Sequence, residues 1–445
     1  MILQFSVSNY KCFRKLQTLN LMASSQDKSL PENCFVTDLP GLSGKRWTKG
    51  VAIYGANASG KTTILQALEA LGMMVETSAK MTDPKEPIPQ IEPFALAPGL
   101  SESPTAFAVS FVADGNRYEY RVAATRERIW HESLRAFPKA KEQVWFSRDW
   151  NESSAGYAWS PEEPSGFQRD KQLEGYTLSN MLFLSKALAN NRTELEPVFR
   201  WFKVQLAILD LSARSKLGPG FTLDKMQEQV PWHRRIVELL RHADLGVIDA
   251  RIKPPTEEEI DKRFKNIGPA DRELIRKHLR LIKPELTHRG SGANGVALPW
   301  DSESAGTRRL FALAGPWLEI LGNGHTACVD ELEASMHPLM VRELLRLIFS
   351  EKENPDGAQI LFTTHNPLLL DATLLRRDQV WFTEKDANGE AHLYPLTDYQ
   401  PRKGESLVRG YLSGRYGAVP FIPAGLLASF PAQEMAGQPE KAQHE

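Results

Sequence analysis

A glycine-rich loop with one lysine and one threonine is the strongest chemical pattern in the sequence. It begins at Gly55, ends at Thr62 and fits the spacing G-x-x-x-x-G-K-[ST] at every fixed position. Glycines at these positions let successive backbone N–H groups point at phosphate oxygens, while Lys61 reaches the β- and γ-phosphates and the Thr62 hydroxyl ligates magnesium. The loop predicts an ATP site, and its nucleotide-binding residues are predicted to be Gly55, Asn57, Ser59, Gly60, Lys61, Thr62 and Thr63.

Two carboxylates come directly after a short apolar run. The run begins at Thr326, and Asp330 and Glu331 follow it. We predict that Asp330 holds magnesium together with Thr62. Glu331 is predicted to be the general base that polarises the attacking water, so that this strand end carries the hydrolytic chemistry.

A histidine follows a second apolar run, which begins at Ile360 and ends before His365. A neutral imidazole at this position can contact the γ-phosphate and report its loss. We therefore predict a sensor role for His365 and count it with Glu331 as a catalytic residue. His325 and His337 are interpreted as structural, because their spacing does not resemble a metal-binding helix motif.

A small, hydroxyl-bearing segment precedes an apolar helical stretch. It runs from Ser304 through Gly306 and Thr307, and leucines and aromatic residues follow at helical spacing. Such a segment at a helix N-terminus is an anion-binding site, and the alternative is an ordinary capped helix start. We predict that Ser304, Gly306 and Thr307 act on a phosphate.

The surrounding elements are of the types that position a phosphate loop. Ile2–Val7 alternates as a half-buried strand does, Val51–Tyr54 is a buried strand, and Thr62–Val75 is an amphipathic helix. The alternation around Phe107–Phe111 and Tyr118–Val122 predicts an antiparallel hairpin. The apolar spacing between about Tyr176 and Arg289 is helical.

The order of these motifs resembles that of ABC-type ATPase heads. The Ser-Ala-Gly-Thr signature is similar to that of the RecF-like and SMC-like group, and most closely to the ATPases of bacterial antiviral and abortive-infection operons. The resemblance extends over essentially the whole chain. The further segments that carry it are Asn9–Arg14, Asp330–Pro338, Thr364–Pro367 and Tyr411–Pro420.

The resemblance implies an α/β fold in which a mixed β-sheet carries the phosphate loop, with an antiparallel β subdomain and an inserted α-helical lobe. The predicted divisions are the N-terminal part of the head (1–150), a mainly helical insertion (151–290), the C-terminal part of the head (291–425) and a disordered tail (426–445). It also implies a dimer, or a higher oligomer of dimers, in which the signature of one subunit caps ATP held by the other. Gln90 is a candidate for the glutamine that commonly links the nucleotide to the helical lobe.

The composition gives no support for several other classes of protein. Lys and Arg total 54 against 55 Asp and Glu, so the net charge of −1 gives no support for nucleic-acid binding. The three cysteines, Cys12, Cys34 and Cys328, lack the spacing of a disulfide framework or zinc site. No apolar run approaches the roughly 20 residues of a membrane span, so we expect a cytoplasmic protein without a membrane partner.

Two functions remain open at the level of sequence. The first is an ATPase that acts as sensor and regulator of a toxic effector protein, encoded nearby, in an anti-phage defence system. The second is a RecF- or SMC-like DNA-repair or DNA-binding ATPase. For the second, phosphate contacts would come from Arg276, Lys277, Arg280, Lys283 and Arg289, although the neighbouring Glu273 and Glu285 favour a solvated helix face.

Overall fold

The computed structural model describes residues 1–162, 166–209, 219–228, 230–242, 246–253, 283–290, 295–402 and 404–420, and the single positions 258 and 268. Within them the strands are β1 (Ile2–Ser8), β2 (Gln17–Asn20), β3 (Cys34–Val36), β4 (Arg46–Thr48), β5 (Gly50–Gly55), β6 (Thr105–Ala113), β7 (Asn116–Ala124), β8 (Ile129–Ala136), β9 (Gln143–Asn151), β10 (Gly156–Ser160), β11 (Leu206–Leu209), β12 (Val247–Lys253), β13 (Lys283–His288), β14 (Val296–Leu298), β15 (Thr326–Val329), β16 (Gln359–Thr364), β17 (Val380–Lys385) and β18 (Ala391–Pro395). The α-helices are α1 (Lys61–Thr77), α2 (Lys171–Gly175), α3 (Phe183–Ala189), α4 (Glu196–Arg200), α5 (Pro219–Glu228), α6 (Val230–His242), α7 (Ala305–Asn323), α8 (Pro338–Phe349) and α9 (Leu407–Leu412).

A six-stranded sheet forms the centre of the head, in the order β11-β15-β16-β5-β17-β18. Its pairs are parallel except for the last, between β17 and β18. Every residue of β5, β15 and β16 is buried, as expected for parallel strands covered on both faces. Because β15, β16 and β5 are neighbours, their carboxyl ends meet at one edge of the sheet, where ligands bind in open α/β sheets.

A seven-stranded antiparallel sheet packs against the other side of α1, in the order β10-β9-β8-β7-β6-β1-β2. Strand β6 alternates buried and half-buried residues along its whole length, so that Phe107, Val109 and Phe111 enter the core. The predicted hairpin is thus part of a larger sheet. The buried Gln359 amide connects it to the central sheet, since it accepts from Ile2 N at 2.7 Å and donates to Thr48 O at 3.0 Å.

The opposite face of the central sheet holds a second core. Helices α5, α6, α7 and α8 contribute to it, together with apolar residues of β12 and β13. Strands β12, β13 and β14 form a separate three-stranded antiparallel sheet. The central sheet therefore has an apolar layer on each face, with α1 on one side and the helix α7 on the other.

The described part of 151–290 contains strands as well as helices. Strand β10 pairs with β9, which begins before the predicted boundary at position 150. Strand β11 pairs in parallel with β15 of the central sheet. The expectation of a mainly helical insertion did not include them, because a four-residue run such as Leu206–Leu209 becomes a strand only through a partner distant in sequence. The predicted helix around Leu274–Ile282 and the tail 426–445 lie outside the described residues, as do Arg276, Lys277 and Arg280.

Among the described residues, no helix combines the length and the apolar character that crossing a membrane requires.

Candidate nucleotide site

The phosphate loop joins β5 to α1 through a tightly packed turn. Gly60 is the N-cap of α1 and has a φ of 109°, which suits glycine. At the start of the loop, a Cβ on Gly55 would lie 2.6 Å from the carbonyl oxygen of Thr383 on β17. Thr383 also fixes the loop from outside, because its hydroxyl lies 2.7 Å from that of Ser59. Gly60 is therefore required by its backbone conformation, and Gly55 by the close approach of Thr383.

Lys61 is folded back onto its own loop. Its ammonium group donates to the carbonyl oxygens of Gly55 at 2.8 Å and Ala56 at 2.9 Å, and the residue is buried. Burial lowers the pKa of Lys61, while the nearby carboxylates of Glu331 and Asp330 act in the opposite direction. The lysine is thus a poorly solvated cation held by two carbonyl oxygens of its own loop.

Asp330 follows β15 and is held by two threonine hydroxyls. Thr62 donates to its two carboxylate oxygens at 3.0 Å each, and Thr363 of β16 donates at 2.5 Å. The structure thus places Thr62 and Asp330, the two predicted magnesium ligands, in direct contact at the sheet edge. A hydroxyl beside a carboxylate is an all-oxygen donor set, so these residues fit Mg²⁺.

Glu331 occupies a turn with a left-handed backbone, at a φ of 45°. Its amide donates to the Thr363 hydroxyl at 2.8 Å, so one buried threonine orients both members of the acidic pair. Arg309 of α7 approaches the same turn and donates to the Glu331 carbonyl oxygen at 3.4 Å. Thr363 has a part in the site that sequence reasoning missed, although its position two residues before His365 was a signal.

His365 lies at the carboxyl end of β16, about half exposed, and contacts a carboxylate that the sequence did not single out. Its amide donates to Glu333 Oε1 at 2.8 Å, and its ring Nε2 lies 3.6 Å from the same oxygen. The other oxygen of Glu333 is buried without a hydrogen-bond partner among the described residues. Glu333 therefore fixes the histidine, and its place two residues after Glu331 was the available signal.

The predicted signature segment begins α7 as a capped helix. Ser304 is the N-cap, and its hydroxyl oxygen accepts from Thr307 N at 3.0 Å and lies 2.8 Å from the Thr307 hydroxyl. A Cβ on Gly306 would lie 2.8 Å from the carbonyl oxygen of Ser335, so glycine is required there. Within the described residues, no hydrogen bond joins 304–307 to the phosphate loop of the same chain.

The remaining predicted residues lie around the loop in different environments. Asn57 is exposed at its tip, and Gln90 is half-buried. Thr63 is buried, and its hydroxyl oxygen accepts from the Cys12 thiol at 3.2 Å. Cys12 belongs to the N-terminal segment Asn9–Arg14, which thereby packs on the first turn of α1.

The C-terminal segment Tyr411–Pro420 packs behind the site. The Tyr411 ring meets that of Tyr54 on β5 edge to face at 5.5 Å, and both Tyr411 and Tyr416 stack on Phe382 of β17. Tyr411 and Tyr416 are buried. The two tyrosines are therefore part of the core that supports the phosphate-loop strand.

The fold and the site together define an ABC-type ATPase head. Its phosphate loop lies between a buried strand and a helix, with the acidic pair and the histidine at the ends of neighbouring parallel strands and an antiparallel sheet against the same helix. The chain belongs to the family described as AAA domain, putative AbiEii toxin, Type IV TA system, whose sequence model matches residues 51–371. No curated protein matches the chain.

Three solved structures of SMC heads align with the chain at low identity. The SMC head domain from Thermotoga maritima is 12% identical, covers 88% of this chain and 98% of its own, and gives a TM-score of 0.37. An SMC head bound to the C-terminal winged-helix domain of ScpA is 12% identical over 88% of this chain and 96% of its own, with a TM-score of 0.41. The head from Pyrococcus furiosus with an extended coiled coil is 11% identical over 90% and 97%, with a TM-score of 0.40.

Proposed function

We propose that this protein binds ATP with Mg²⁺, hydrolyses it in a dimer that encloses the nucleotide, and uses this cycle to regulate a toxic partner protein. The observation that carries the catalytic part is the contact between Thr62 and Asp330. It joins the phosphate loop to the acidic strand end within one chain, at the sheet edge where both are needed. Membership of an ATPase family supports the same reaction.

Each residue has a defined task in this proposal. Mg²⁺, when bound, neutralises negative charge on the β- and γ-phosphates. Thr62 and Asp330 hold it, and Lys61 exchanges its two loop carbonyls for phosphate oxygens. Glu331 accepts the proton of the attacking water, and His365, oriented by Glu333, contacts the γ-phosphate.

Dimerisation is proposed because, in the part of the chain that the structure describes, no hydrogen bond joins the signature segment to the phosphate loop. In the composite site, the first-turn N–H groups of α7 in one subunit face the γ-phosphate held by the other. The first four N–H groups of a helix lack intrahelical partners, and they favour an anion. Ser304 and Gly306 therefore act on the nucleotide of the opposite subunit.

Two substitutions at the site test the catalytic proposal. Lys61→Ala removes the cation that binds the phosphates, so ATP binding is expected to weaken by about a hundredfold or more. Glu331→Gln keeps the shape but cannot accept a proton. It is expected to bind ATP, to lose turnover and to accumulate as a dimer with ATP and magnesium.

Isothermal titration measures the affinity, and size-exclusion chromatography with light scattering measures the dimer. Lys80→Ala, a surface lysine just beyond α1, is the matched control and should behave as wild type. An unchanged ATP dissociation constant in Lys61→Ala, or normal turnover in Glu331→Gln, contradicts the proposal.

The defence role is supported by the family description, which refers to a putative toxin of a type IV toxin–antitoxin system. We propose that a second protein supplies the toxic step and that the ATP cycle of this chain controls it. The partner docks on the inserted segment 151–290 or on the exposed side of Tyr411–Pro420, where Tyr411 and Tyr416 are buried but Leu412 is 63% exposed.

A phage challenge tests this part. Cells with this gene and its neighbour should be protected, and cells with either gene alone should not. Lys61→Ala and Glu331→Gln should abolish the joint protection. Full protection by this gene alone contradicts the two-component proposal, and no protection in any combination contradicts the defence role itself.

A further inference from the structure

The helix α7, which begins with the signature segment, contains a break in its backbone hydrogen bonding. Pro316 lies in the middle of this 19-residue helix. Proline has no N–H, so the carbonyl oxygen four residues earlier, that of Ala312, receives no bond from position 316. Helices usually bend where such a bond is missing. The direction of the signature end therefore depends on how this gap is filled.

A threonine from the neighbouring helix fills the gap. Thr222 of α5 donates its hydroxyl hydrogen to Ala312 O at 3.3 Å and accepts from Gly315 N at 3.1 Å. The residue is fully buried, so water does not compete for either bond. A hydroxyl has one donor and two acceptor positions, and both kinds are used here. The side chain of α5 thus takes over part of the hydrogen bonding of α7.

The two helices are also in direct backbone contact at this point. A Cβ on Gly315 would lie 2.7 Å from the Thr222 Cα and 2.7 Å from its hydroxyl oxygen, so glycine is needed for α5 to approach. One turn further, Lys225 of α5 lies 3.4 Å from Glu319 of α7. Contacts of several residues therefore bring α5 and α7 together and fix the position of α5 along α7.

The same lobe also contacts the signature end of α7. His288 at the end of β13 lies 2.8 Å from the Glu303 carboxylate, and Glu303 is the buried residue directly before Ser304. Helix α5 and the three-stranded sheet therefore hold the first half of α7 at two points. Ser304 lies roughly 16 Å from Gly315 along a helix rising about 1.5 Å per residue, so a 10° change in bend moves it by about 3 Å.

We propose that Thr222 is a positioning residue for ATP hydrolysis, which sets the bend of α7 at Pro316 and so aims Ser304 and Gly306 at the nucleotide of the opposite subunit. The proposal rests on the composite site proposed above. Displacements of about 1 Å in catalytic geometry can cost about a hundredfold in rate. Thr222 touches neither the phosphate loop nor Asp330, so it acts on turnover and not on the binding of ATP to one subunit.

The test compares Thr222→Val, which keeps the shape and removes the hydroxyl, with Thr222→Ser, which keeps the hydroxyl. Thr222→Val should lower kcat about tenfold or more, and the ATP dissociation constant of the monomer, measured with a fluorescent ATP analogue, should stay within about twofold. Thr222→Ser should retain at least half of the wild-type kcat. Equal losses in both variants, or a normal kcat in Thr222→Val, overturn the proposal.

A second substitution separates the hydrogen bond from packing. Pro316→Ala restores the missing N–H, so Ala312 O regains its partner within the helix. In this background, Thr222→Val should have little effect on kcat. If Thr222→Val alone does not fold, Pro316→Ala should restore folding, measured by thermal unfolding. A double variant as impaired as Thr222→Val overturns the proposal. An inactive wild type would instead contradict the proposed ATPase function.

Discussion

Single threonines, more than charged residues, set the geometry of the site. Asp330 accepts from two threonine hydroxyls, and one of them, Thr363, also accepts from the amide of Glu331. A buried hydroxyl with several polar partners is costly to remove, because each partner then lacks its bond in a place that water reaches poorly. The acidic pair is therefore held by β16, the strand beside its own.

Thr363→Val is expected to slow ATP hydrolysis while leaving ATP binding nearly unchanged. The substitution removes the bond to Asp330 and the acceptor for Glu331 N, but it leaves Lys61 and Thr62 in place. We expect kcat to fall about 10- to 100-fold and the ATP dissociation constant to change by less than about threefold. Steady-state kinetics and equilibrium titration measure the two quantities.

Thr364→Val is the matched control for this substitution. Thr364 is equally buried, but its hydroxyl oxygen accepts from Asn366 N and not from the acidic pair. Its kcat should remain within a few-fold of wild type. If the two valine variants lose activity equally, the hydroxyl of Thr363 has no specific part in catalysis.

At the scale of elements, a buried ion pair fixes α3 against the antiparallel sheet. Glu132 of β8 accepts from Phe183 N at 2.7 Å and Leu184 N at 3.0 Å, the first amides of α3. Arg148 of β9 lies 2.7 Å from the same carboxylate, and both side chains are fully buried. The carboxylate therefore caps the helix, and the guanidinium compensates its charge.

Arg148→Met should destabilise the protein by about 3–5 kcal/mol, because it leaves the Glu132 carboxylate buried without its cation. The free energy of unfolding in urea measures the loss. Arg135→Met is the control, since its pair with Glu142 lies at the surface and is worth about 1 kcal/mol or less. Adding Glu132→Gln to Arg148→Met should recover part of the loss. Similar losses in the two single variants would show that the buried pair is not structurally special.

At the scale of the whole molecule, the central sheet separates two apolar cores, one containing α1 and the other containing the signature helix α7. Strand β5 of the phosphate loop packs into both cores, α1 lies in the core with the antiparallel sheet, and the signature helix lies in the core with α5, α6 and α8. In the proposed dimer, the signature helix of each subunit faces the nucleotide held by the other subunit, while the phosphate loop binds the nucleotide of its own subunit. Mixed dimers can therefore separate the two roles.

Gly306→Glu should block hydrolysis, and mixing it with Lys61→Ala should restore part of the activity if a single site suffices. Such a mixed dimer has one complete site, built from the phosphate loop of the first variant and the signature of the second. Activity should reach at most about half of the wild-type value, measured as phosphate release across mixing ratios. Normal hydrolysis by Gly306→Glu alone contradicts the signature assignment.

Gly306→Ala is the control for an effect inside one chain. A methyl group at this position already meets Ser335 O at 2.8 Å, so some loss is expected from the local backbone alone. The glutamate variant should lose more, because it adds bulk and negative charge beside a phosphate. Restored activity on mixing Gly306→Glu with Lys61→Ala excludes misfolding as the cause of the loss in these two variants.

Much of the site follows from contiguous sequence. The phosphate loop is eight neighbouring residues, and its strand and helix are recognisable from buried and amphipathic patterns on either side. The acidic pair and His365 each come directly after an apolar run, and parallel strands bring their carboxyl ends to one edge. The order of these motifs was enough to predict the class of fold.

Other features depend on tertiary contacts that no local pattern encodes. Strand β11 exists through its pairing with β15, and Thr363 and Glu333 gain their parts in the site from neighbours across the sheet edge. The sequence by itself was enough to predict the residues of the candidate site, since the proposed chemistry requires particular side chains at short spacing. Only the tertiary structure decided what holds them, including Thr222 at the break in α7, because hydrogen bonds between distant segments leave no periodic trace in a single chain.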